Sequence, residues 1–388
     1  MMGLSLGERC GCVMQSEIRS MSIECARIGG LNLSQGVCDT PVPVSVLQGA
    51  ADAIMQGGNT YTHHAGIRQL REAIADKQRR FAGMELDPES EIVVSAGATG
   101  AMYCAFQALL NRGDEVIVFE PFYGYHVSTL LAVEAVPVFV PLEQPDWSIL
   151  PGSLEAALTP RTRAILVNTP ANPSGKVFSR SELALIADFA ARFDLFVFTD
   201  EIYEHFVYDG MTHCSIATLP GMKERTIAIS GLSKTFSVTG WRIGYAMCDA
   251  RWAGAIGYFN DLFYVCAPSP LQVGVTAGLR SLDDGYYHSL SSEYAAKRDL
   301  FCQALAEAGL RPHIPQGAYY VLADTGSVPG KMAKERAMHI LRLTGVASVP
   351  GSAFFHDGGG ESLVRFCFAK EGHVLDEACE KLLKLRFS

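Results

Sequence analysis

The sequence predicts an α/β fold: a large domain built on a mostly parallel sheet between helices, followed by a smaller α+β domain. Seven short apolar runs alternate with helix-length stretches between residues 92 and 247. This alternation is typical of βαβ units, whose parallel strands are covered by helices on both faces. After about residue 280 the pattern changes to one long polar helix and a few short strand-like runs. A chain of 388 residues, 48% of them hydrophobic, is long enough for two such domains.

Each predicted element follows from apolar periodicity. Residues 1–42 look irregular and are expected to form an arm that packs with the small domain. Residues 43–280 would form the large domain and residues 281–388 the small one. Helices are expected over Val44–Met55 and after Gly66, where a stripe begins at Leu70. The seven predicted strands of the large sheet are Ile92–Ser95, Glu115–Phe119, Val136–Val140, Ala164–Asn168, Leu195–Thr199, Thr226–Ser230 and Gly244–Met247. The predicted elements of the small domain are a helix at His288–Gly309, strands at Ala318–Leu322, Gly345–Val349 and Leu363–Phe368, and a last helix at Leu375–Leu385.

Charge and composition argue against several classes of protein. A formal net charge of −9 gives no sign of a nucleic-acid or acidic-membrane partner. No run of about 18 apolar residues suggests a membrane span, and the N-terminus lacks the apolar region of a signal peptide. Eleven cysteines are scattered without a CxxC pair, and ten histidines show no metal-ligand spacing. We therefore expect no metal site, and free thiols in a reducing, cytoplasmic compartment.

A lysine follows one apolar run and precedes another. Lys234 lies on a turn of small residues between the predicted strands Thr226–Ser230 and Gly244–Met247. Removal from water lowers the pKa of a lysine and makes the amine a better nucleophile towards an aldehyde. Taken alone, a Ser-Lys pair is more often an exposed loop lysine. Arg242, eight residues later and next to Trp241, needs an anion, which could be a phosphate assisted by Ser233 or the acid of a structural salt bridge.

Polar side chains follow the neighbouring predicted strands. Asp200 ends the run LFVFTD, where a ligand of an open α/β sheet would bind, and a carboxylate there can pair with a protonated ring nitrogen. Helix capping is the equal alternative for Asp200. Asn172 lies in the turn NTPANPSG, which would either aim its amide into a cleft or serve only as a rigid turn.

Two more strand ends carry candidate ligands of a phosphorylated ring. Gly97, Ala98 and Thr99 precede an apolar helix and could offer backbone N–H groups to an anion, although a tight strand–helix turn needs small residues regardless. Tyr123 follows the run EVIVFE and could stack on a planar ring or be an ordinary core aromatic. Together, the five stretches describe a cradle for a phosphorylated aromatic aldehyde.

These residues resemble the class I/II aminotransferases of the pyridoxal-phosphate (PLP) fold type I superfamily, from about Leu31 to the C-terminus. The stretch SKTFSVTGWRIGYA, and NPSG upstream of TDEIYEH, are specific for that family. The run YEHFVYDG with HCSIATLPGMKERTI is most similar to the kynurenine, glutamine and methionine transaminase branch, and some bacterial aspartate transaminases look similar.

The resemblance implies the cofactor, pyridoxal 5'-phosphate, and a role for each residue. Lys234 would form the internal aldimine and then move the substrate proton in a ping-pong transamination between an L-amino acid and a 2-oxo acid. Asp200 would pair with the ring nitrogen, and Tyr203 and Asn172 with the ring 3-oxygen. The other implied cofactor ligands are Tyr123 against the ring, and Gly97, Ala98, Thr99, Ser233, Arg242 and a neighbouring subunit's Tyr61 at the phosphate. Arg365 would clamp the substrate α-carboxylate, with Asn172 and Gly36 at the same end. Tyr61 implies a homodimer.

Two positions depart from the family pattern, and two other functions share its residues. Gly231 stands where many relatives carry serine, and Thr99 stands where some aspartate transaminases carry lysine, which argues against strict aspartate specificity. A cysteine-conjugate β-lyase would use the same lysine. A PLP-sensing regulator would need a DNA-binding domain, and only about thirty residues precede Leu31.

Overall fold

The computed structural model describes residues 4–11, 16–326 and 328–387, so parts of the predicted arm lie outside the described residues. Its α-helices are α1 (Glu17–Arg27), α2 (Val44–Met55), α3 (Arg68–Ala82), α4 (Gly97–Leu109), α5 (Gly124–Ala132), α6 (Ser153–Ala157), α7 (Arg180–Arg192), α8 (Ala250–Tyr264), α9 (Ser269–Ser281), α10 (Asp284–Glu307), α11 (Ala333–Thr344) and α12 (Gly372–Leu382). Its strands are β1 (Leu31–Asn32), β2 (Ile92–Ala96), β3 (Glu115–Glu120), β4 (Val136–Glu143), β5 (Ser148–Ile149), β6 (Thr162–Asn168), β7 (Phe196–Asp200), β8 (Thr226–Gly231), β9 (Ile243–Met247), β10 (Arg311–His313), β11 (Tyr320–Asp324), β12 (Val346–Ala347), β13 (Val349–Pro350) and β14 (Leu363–Cys367). No helix of these ranges is long and apolar enough to cross a membrane.

The large sheet has the order β2-β9-β8-β7-β6-β3-β4-β5 and confirms the predicted α/β fold class. Strands β8, β7, β6, β3 and β4 are parallel, whereas β9 runs antiparallel between β8 and β2. Because β9 is reversed, the residue that precedes it lies at the same edge as the residues that follow β2 and β8. The eighth strand, β5, was not predicted, since two residues carry no readable alternation.

Both faces of the large sheet are covered, as expected for parallel strands. On β3, Val116 and Val118 pack with residues of α4 and α8. Ile117 points to the opposite face and packs with Leu183 and Ile186 of α7. This arrangement explains why the strands read as continuous apolar runs and why polar residues cluster at their ends.

The smaller sheet contains the C-terminal strands in the antiparallel order β10-β11-β14-β13. The arm contributes β1, which pairs in parallel with β12 through Leu31 and Val346. Met21 and Leu33 are buried in the same apolar cluster as Phe366. The arm therefore packs against the C-terminal elements, while the proposed boundaries at residues 42 and 280 stay predictions.

Two secondary-structure predictions were wrong: the irregular arm and the single strand Gly345–Val349. The arm contains a helix, α1, whose buried side chains Met21 and Cys25 lie four residues apart on one face. The predicted strand Gly345–Val349 is two strands, because β12 pairs with β1 whereas β13 pairs with β14. Gly345 itself ends α11 with a left-handed φ of 74°, which a strand residue cannot adopt.

Candidate active site

One cavity of about 520 Å³ lies at the carboxyl edge of the large sheet and collects most of the predicted site residues. The predicted residues that line it are Gly36, Ala98, Thr99, Tyr123, Asn172, Asp200, Tyr203, Ser233, Lys234, Arg242 and Arg365. They come from the turns after β2, β3, β6, β7 and β8, from the residue before β9, and from β14 and the arm. Parallel strands present their carboxyl ends at one edge, which is why these turns meet.

Lys234 lies on the turn after β8, with its ammonium group inside the cavity. Its Nζ donates a hydrogen bond to the carbonyl oxygen of Gly36 at 3.0 Å and lies 5.8 Å from the ring centroid of Tyr319. Removal from water lowers the pKa of Lys234 below its ordinary value of 10.5, and Arg242 acts in the same direction while Asp200 opposes it. A lowered pKa increases the neutral, nucleophilic fraction of the amine.

Asp200 is the last residue of β7 and is held by two donors. The main-chain N–H of Ile202 donates to Oδ1 at 3.2 Å. The Nε2 atom of His126, on α5, lies 2.8 Å from Oδ2, and the imidazole is the donor because an ionised carboxylate only accepts. His126 was not found from the sequence, because one histidine inside a helix has no spacing signal. These donors orient the carboxylate, and helix capping does not describe its role, because no described helix begins directly after Asp200.

Arg365 of β14 is completely buried and lacks an acidic partner among the described residues. Its Nη1 donates to Oδ1 of Asn172 at 2.8 Å, its Nη2 donates to the carbonyl of Ser34, and its Nε has no partner in the described structure. The guanidinium lies over the rings of Tyr320 and Phe354, with centroid distances of 4.3 and 4.9 Å. A buried cation without a counter-ion, facing a cavity, is suited to binding a carboxylate.

Arg242 and Gly97 approach each other closely at the start of α4. A Cβ on Gly97 would lie 2.2 Å from Nη2 of Arg242, and the left-handed φ of 79° at Gly97 also favours glycine. Arg242 donates to the carbonyl of Thr239 at 3.0 Å, and its salt-bridge alternative has no support among the described residues. Its guanidinium and the first N–H groups of α4 are donors that could hold a phosphate.

Tight packing explains the glycine at position 231. Gly231 pairs with Gly244 across β8 and β9, and a Cβ on Gly231 would lie 3.0 Å from both the Cα of Gly244 and the carbonyl oxygen of Ile243. A Cβ on Gly244 would in turn collide with the main chain of Ala98. A serine at position 231 would require these neighbours to shift by a few tenths of an ångström. Ser233 is the hydroxyl residue of this turn that lines the cavity.

Tyrosines form the apolar walls of the cavity. The hydroxyls of Tyr203 and Tyr320 lie 3.0 Å apart, and burial raises the pKa of Tyr203 well above its ordinary value, which keeps the hydroxyl protonated. The ring of Tyr123 contacts His126 edge-on with a centroid distance of 5.3 Å. Tyr320 was not found from the sequence. Its hydroxyl lies directly against Gly36, because a Cβ at position 36 would overlap it.

Tyr61 does not enter the cavity of its own chain. Its side chain is 81% exposed on the segment between α2 and α3. In the part of the chain that the structure describes, no cluster of acidic, histidine or cysteine side chains could hold a metal ion.

Comparison with known proteins identifies the family. The sequence profile of aminotransferase class I and II matches residues 28–382. The chain therefore belongs to the class I and II aminotransferases, which confirms the resemblance seen in the sequence, and it is an aminotransferase.

Individual relatives carry different substrate names. The chain is 38% identical to a probable N-succinyldiaminopimelate aminotransferase of Mycobacterium tuberculosis, over 93% of this chain and 94% of the relative. It is 34% identical to a kynurenine–oxoglutarate transaminase of Dictyostelium discoideum, over 93% and 92% of the two chains. A crystal structure of the M. tuberculosis N-succinyldiaminopimelate aminotransferase superposes with a TM-score of 0.95 at 36% identity, covering 98% of this chain and 100% of the other. A methionine aminotransferase from Escherichia coli has a TM-score of 0.94 at 32% identity, with both chains fully (100%) covered.

Proposed function

We propose that this aminotransferase uses pyridoxal 5'-phosphate bound covalently to Lys234, and that it moves an amino group from an L-amino acid to a 2-oxo acid in two half-reactions. One observation carries the proposal: a single cavity holds an amine of lowered pKa, a strand-end carboxylate, and the guanidinium groups of Arg242 and Arg365, neither of which has an acidic partner in the described structure. Bound PLP supplies an electron sink for the negative charge that develops when the substrate loses its Cα proton.

The residues present fit the cofactor at each of its polar groups. Asp200, oriented by His126, would face the ring nitrogen and keep it protonated. Tyr203 and Asn172 would hold the ring 3-oxygen, and Tyr123 would pack against the ring. The phosphate ligands would be Gly97, Ala98, Thr99, Ser233 and Arg242.

Arg365 and Lys234 would then divide the work on the substrate. Arg365, with the amide of Asn172 and the main chain of Gly36 beside it, binds the α-carboxylate in a fork and so fixes the direction of the Cα–H bond. Lys234 Nζ, whose pKa is lowered by burial, would be the base that removes the proton from Cα. The buried tyrosine walls exclude water from this step.

Reduction with borohydride tests the attachment. After incubation with PLP and borohydride, peptide mapping should find a pyridoxyl group on Lys234, and Lys234→Ala should lose both the label and transamination while its circular dichroism is unchanged. Lys331→Ala, at an exposed lysine, is the matched control. Labelling elsewhere, or full turnover by Lys234→Ala, would refute the proposal. Release of pyruvate and ammonia without an oxo-acid acceptor would indicate the β-lyase.

We also propose that the active unit is a homodimer in which Tyr61 reaches the partner's phosphate site. Exposed apolar side chains lie on the helices around its segment: Met55 on α2 is 85% exposed, and Tyr258 and Leu262 on α8 are 65% and 64% exposed. Such a concentration of apolar surface favours burial against a second copy. The predicted cytoplasmic location stays a prediction.

A further inference from the structure

Arg19 lies on α1, the helix of the arm, and lines the outer part of the catalytic cavity. It also lines a neighbouring groove of about 580 Å³, which shares Ile18 and Tyr125 with the cavity and continues along Phe122 and Phe354. Lys234 and Arg365 line only the inner cavity. Arg19 therefore marks the place where the inner cavity opens towards the groove.

The guanidinium of Arg19 makes no hydrogen bond or ion pair with the residues that the structure describes, in contrast to its neighbours. Arg27, on the same helix, donates to Glu24 at 2.6 Å. Glu17, which also lines the groove, is neutralised by Lys334. Arg19 thus presents a free set of donors to whatever enters the cavity.

The charges around Arg19 favour an anion. Among the described residues that line the cavity, Asp200 is the single carboxylate, and His126 already holds it. Thr99, which lines the cavity from the start of α4, offers only a hydroxyl. The arm helix therefore supplies a cation where the cavity meets the groove, in addition to the groups assigned to the α-carboxylate and the phosphate.

We propose that Arg19 binds a carboxylate at the far end of the substrate side chain, so that dicarboxylic amino acids and their 2-oxo acids are preferred substrates. The inference rests on the proposed function, because it places the α-carboxylate on Arg365 and the amine at Lys234. A planar guanidinium binds a carboxylate through two parallel hydrogen bonds, which discriminates strongly against a neutral side chain of similar length.

The test compares L-glutamate with L-methionine in the first half-reaction of the PLP-loaded enzyme, followed by the cofactor's absorption change. Arg19→Met should raise KM for glutamate about tenfold or more, with kcat and the KM for methionine changed less than about threefold. Arg19→Lys should restore part of the glutamate affinity. Arg27→Met, on the same helix but outside the cavity, should behave as wild type. Glutarate, an unreactive dicarboxylate, should bind Arg19→Met about tenfold more weakly by calorimetry, while butyrate binding is unaffected.

The outcomes separate the two proposals. If the wild type reacts with methionine but not with glutamate, or if Arg19→Met changes both KM values alike, the assignment of Arg19 is overturned and the proposed function stands. If no amino acid changes the absorption of the loaded wild type, the proposed function itself fails.

Discussion

His126 on α5 and Asp200 at the end of β7 are joined by a hydrogen bond of 2.8 Å, although 74 residues separate them in the chain. The Asp200 side chain is only 11% exposed, so its carboxylate depends on the imidazole for orientation and for compensation of its burial. Asp200, the candidate ligand of the ring nitrogen, is therefore positioned both by its own strand, β7, and by His126 of α5.

Replacement of His126 should weaken the cofactor site without unfolding the protein. A hydrogen bond to a charged group contributes about 1.5–3 kcal/mol, so His126→Phe should lower PLP affinity and kcat/KM by about tenfold to a hundredfold. His126→Gln keeps a donor and should lose less. The measurements are a PLP titration and steady-state kinetics. His373→Asn, at an exposed histidine with 75% of its side chain accessible, is the control. Equal affinities for all three variants would show that the imidazole does not support Asp200.

Alanine substitutions at two glycines distinguish the effect of backbone strain from the effect of displacing Arg242. Gly97 and Gly113 have φ angles of 79° and 85°, but a Cβ meets Arg242 only at Gly97 and meets nothing within 4 Å at Gly113. Both alanine variants should lose about 1 kcal/mol of stability from the left-handed backbone. Only Gly97→Ala should also lose affinity for PLP, measured by titration. Similar cofactor affinity in the two variants would contradict the phosphate role of Arg242.

The buried amine of Lys234 should make stability depend on pH in the cofactor-free protein. Burial lowers its pKa in the folded state below the unfolded value of 10.5, so between these two values the unfolded chain binds more protons. The stability contribution of this group therefore rises with pH through that window and is unfavourable below it. Lys234→Met should raise Tm at neutral pH, and the gain should shrink as pH approaches the ordinary lysine range. A gain that is constant with pH would show that the amine is not desolvated.

An ion pair beneath the site should control acid stability. Lys77 of α3 and Glu204 are both almost completely buried and in contact, and Ser230 also donates to Glu204. Despite the opposing effect of burial, the attraction of Lys77 lowers the pKa of Glu204 from 4.5 to about 2. The stabilisation is therefore complete above pH 4.5 and is lost as pH falls towards 2. Lys77→Met should destabilise by about 3–5 kcal/mol in urea unfolding, because it leaves a buried carboxylate unpaired.

The double variant Lys77→Met/Glu204→Leu is the internal control for this pair. It should recover much of the lost stability and flatten the acid limb, since neither charge then remains buried. Additive losses in the double variant would show that the two side chains act independently.

Substitution of Tyr61 tests the proposed homodimer. Light scattering should find a dimer, and Tyr61→Phe should keep the dimer but weaken PLP binding by about threefold to tenfold, as expected for one lost hydrogen bond. Tyr258→Phe removes a hydroxyl from another tyrosine of the proposed dimer surface and should leave PLP affinity unchanged, because only Tyr61 is assigned to the phosphate. A monomer with full PLP affinity would overturn both the dimer and the role of Tyr61.

The sequence by itself determined which turns form the candidate site. Lys234, Asp200 and Asn172 could be placed together because each follows an apolar strand, and parallel strands must present those ends at one edge. Arg242 joins them because β9 is reversed, which makes the beginning of that strand part of the same edge, and this reversal was not predicted from the sequence. Local composition was enough for Lys234, Asp200 and Asn172, since their positions follow from the order of parallel strands and turns.

Only the tertiary structure decided which side chains complete the site. Tyr320 of β11 and Arg19 of α1 line the cavity, and His126 of α5 contacts Asp200 at its edge. Nothing in the local sequence of these three residues marks them. Their contacts depend on how helix faces and the arm pack against the sheet, which is set by many weak apolar contacts between residues far apart in the chain. The same reason explains why the short strand β5 and the helix α1 escaped prediction: pairing and burial stabilise them, rather than any periodic pattern of their own.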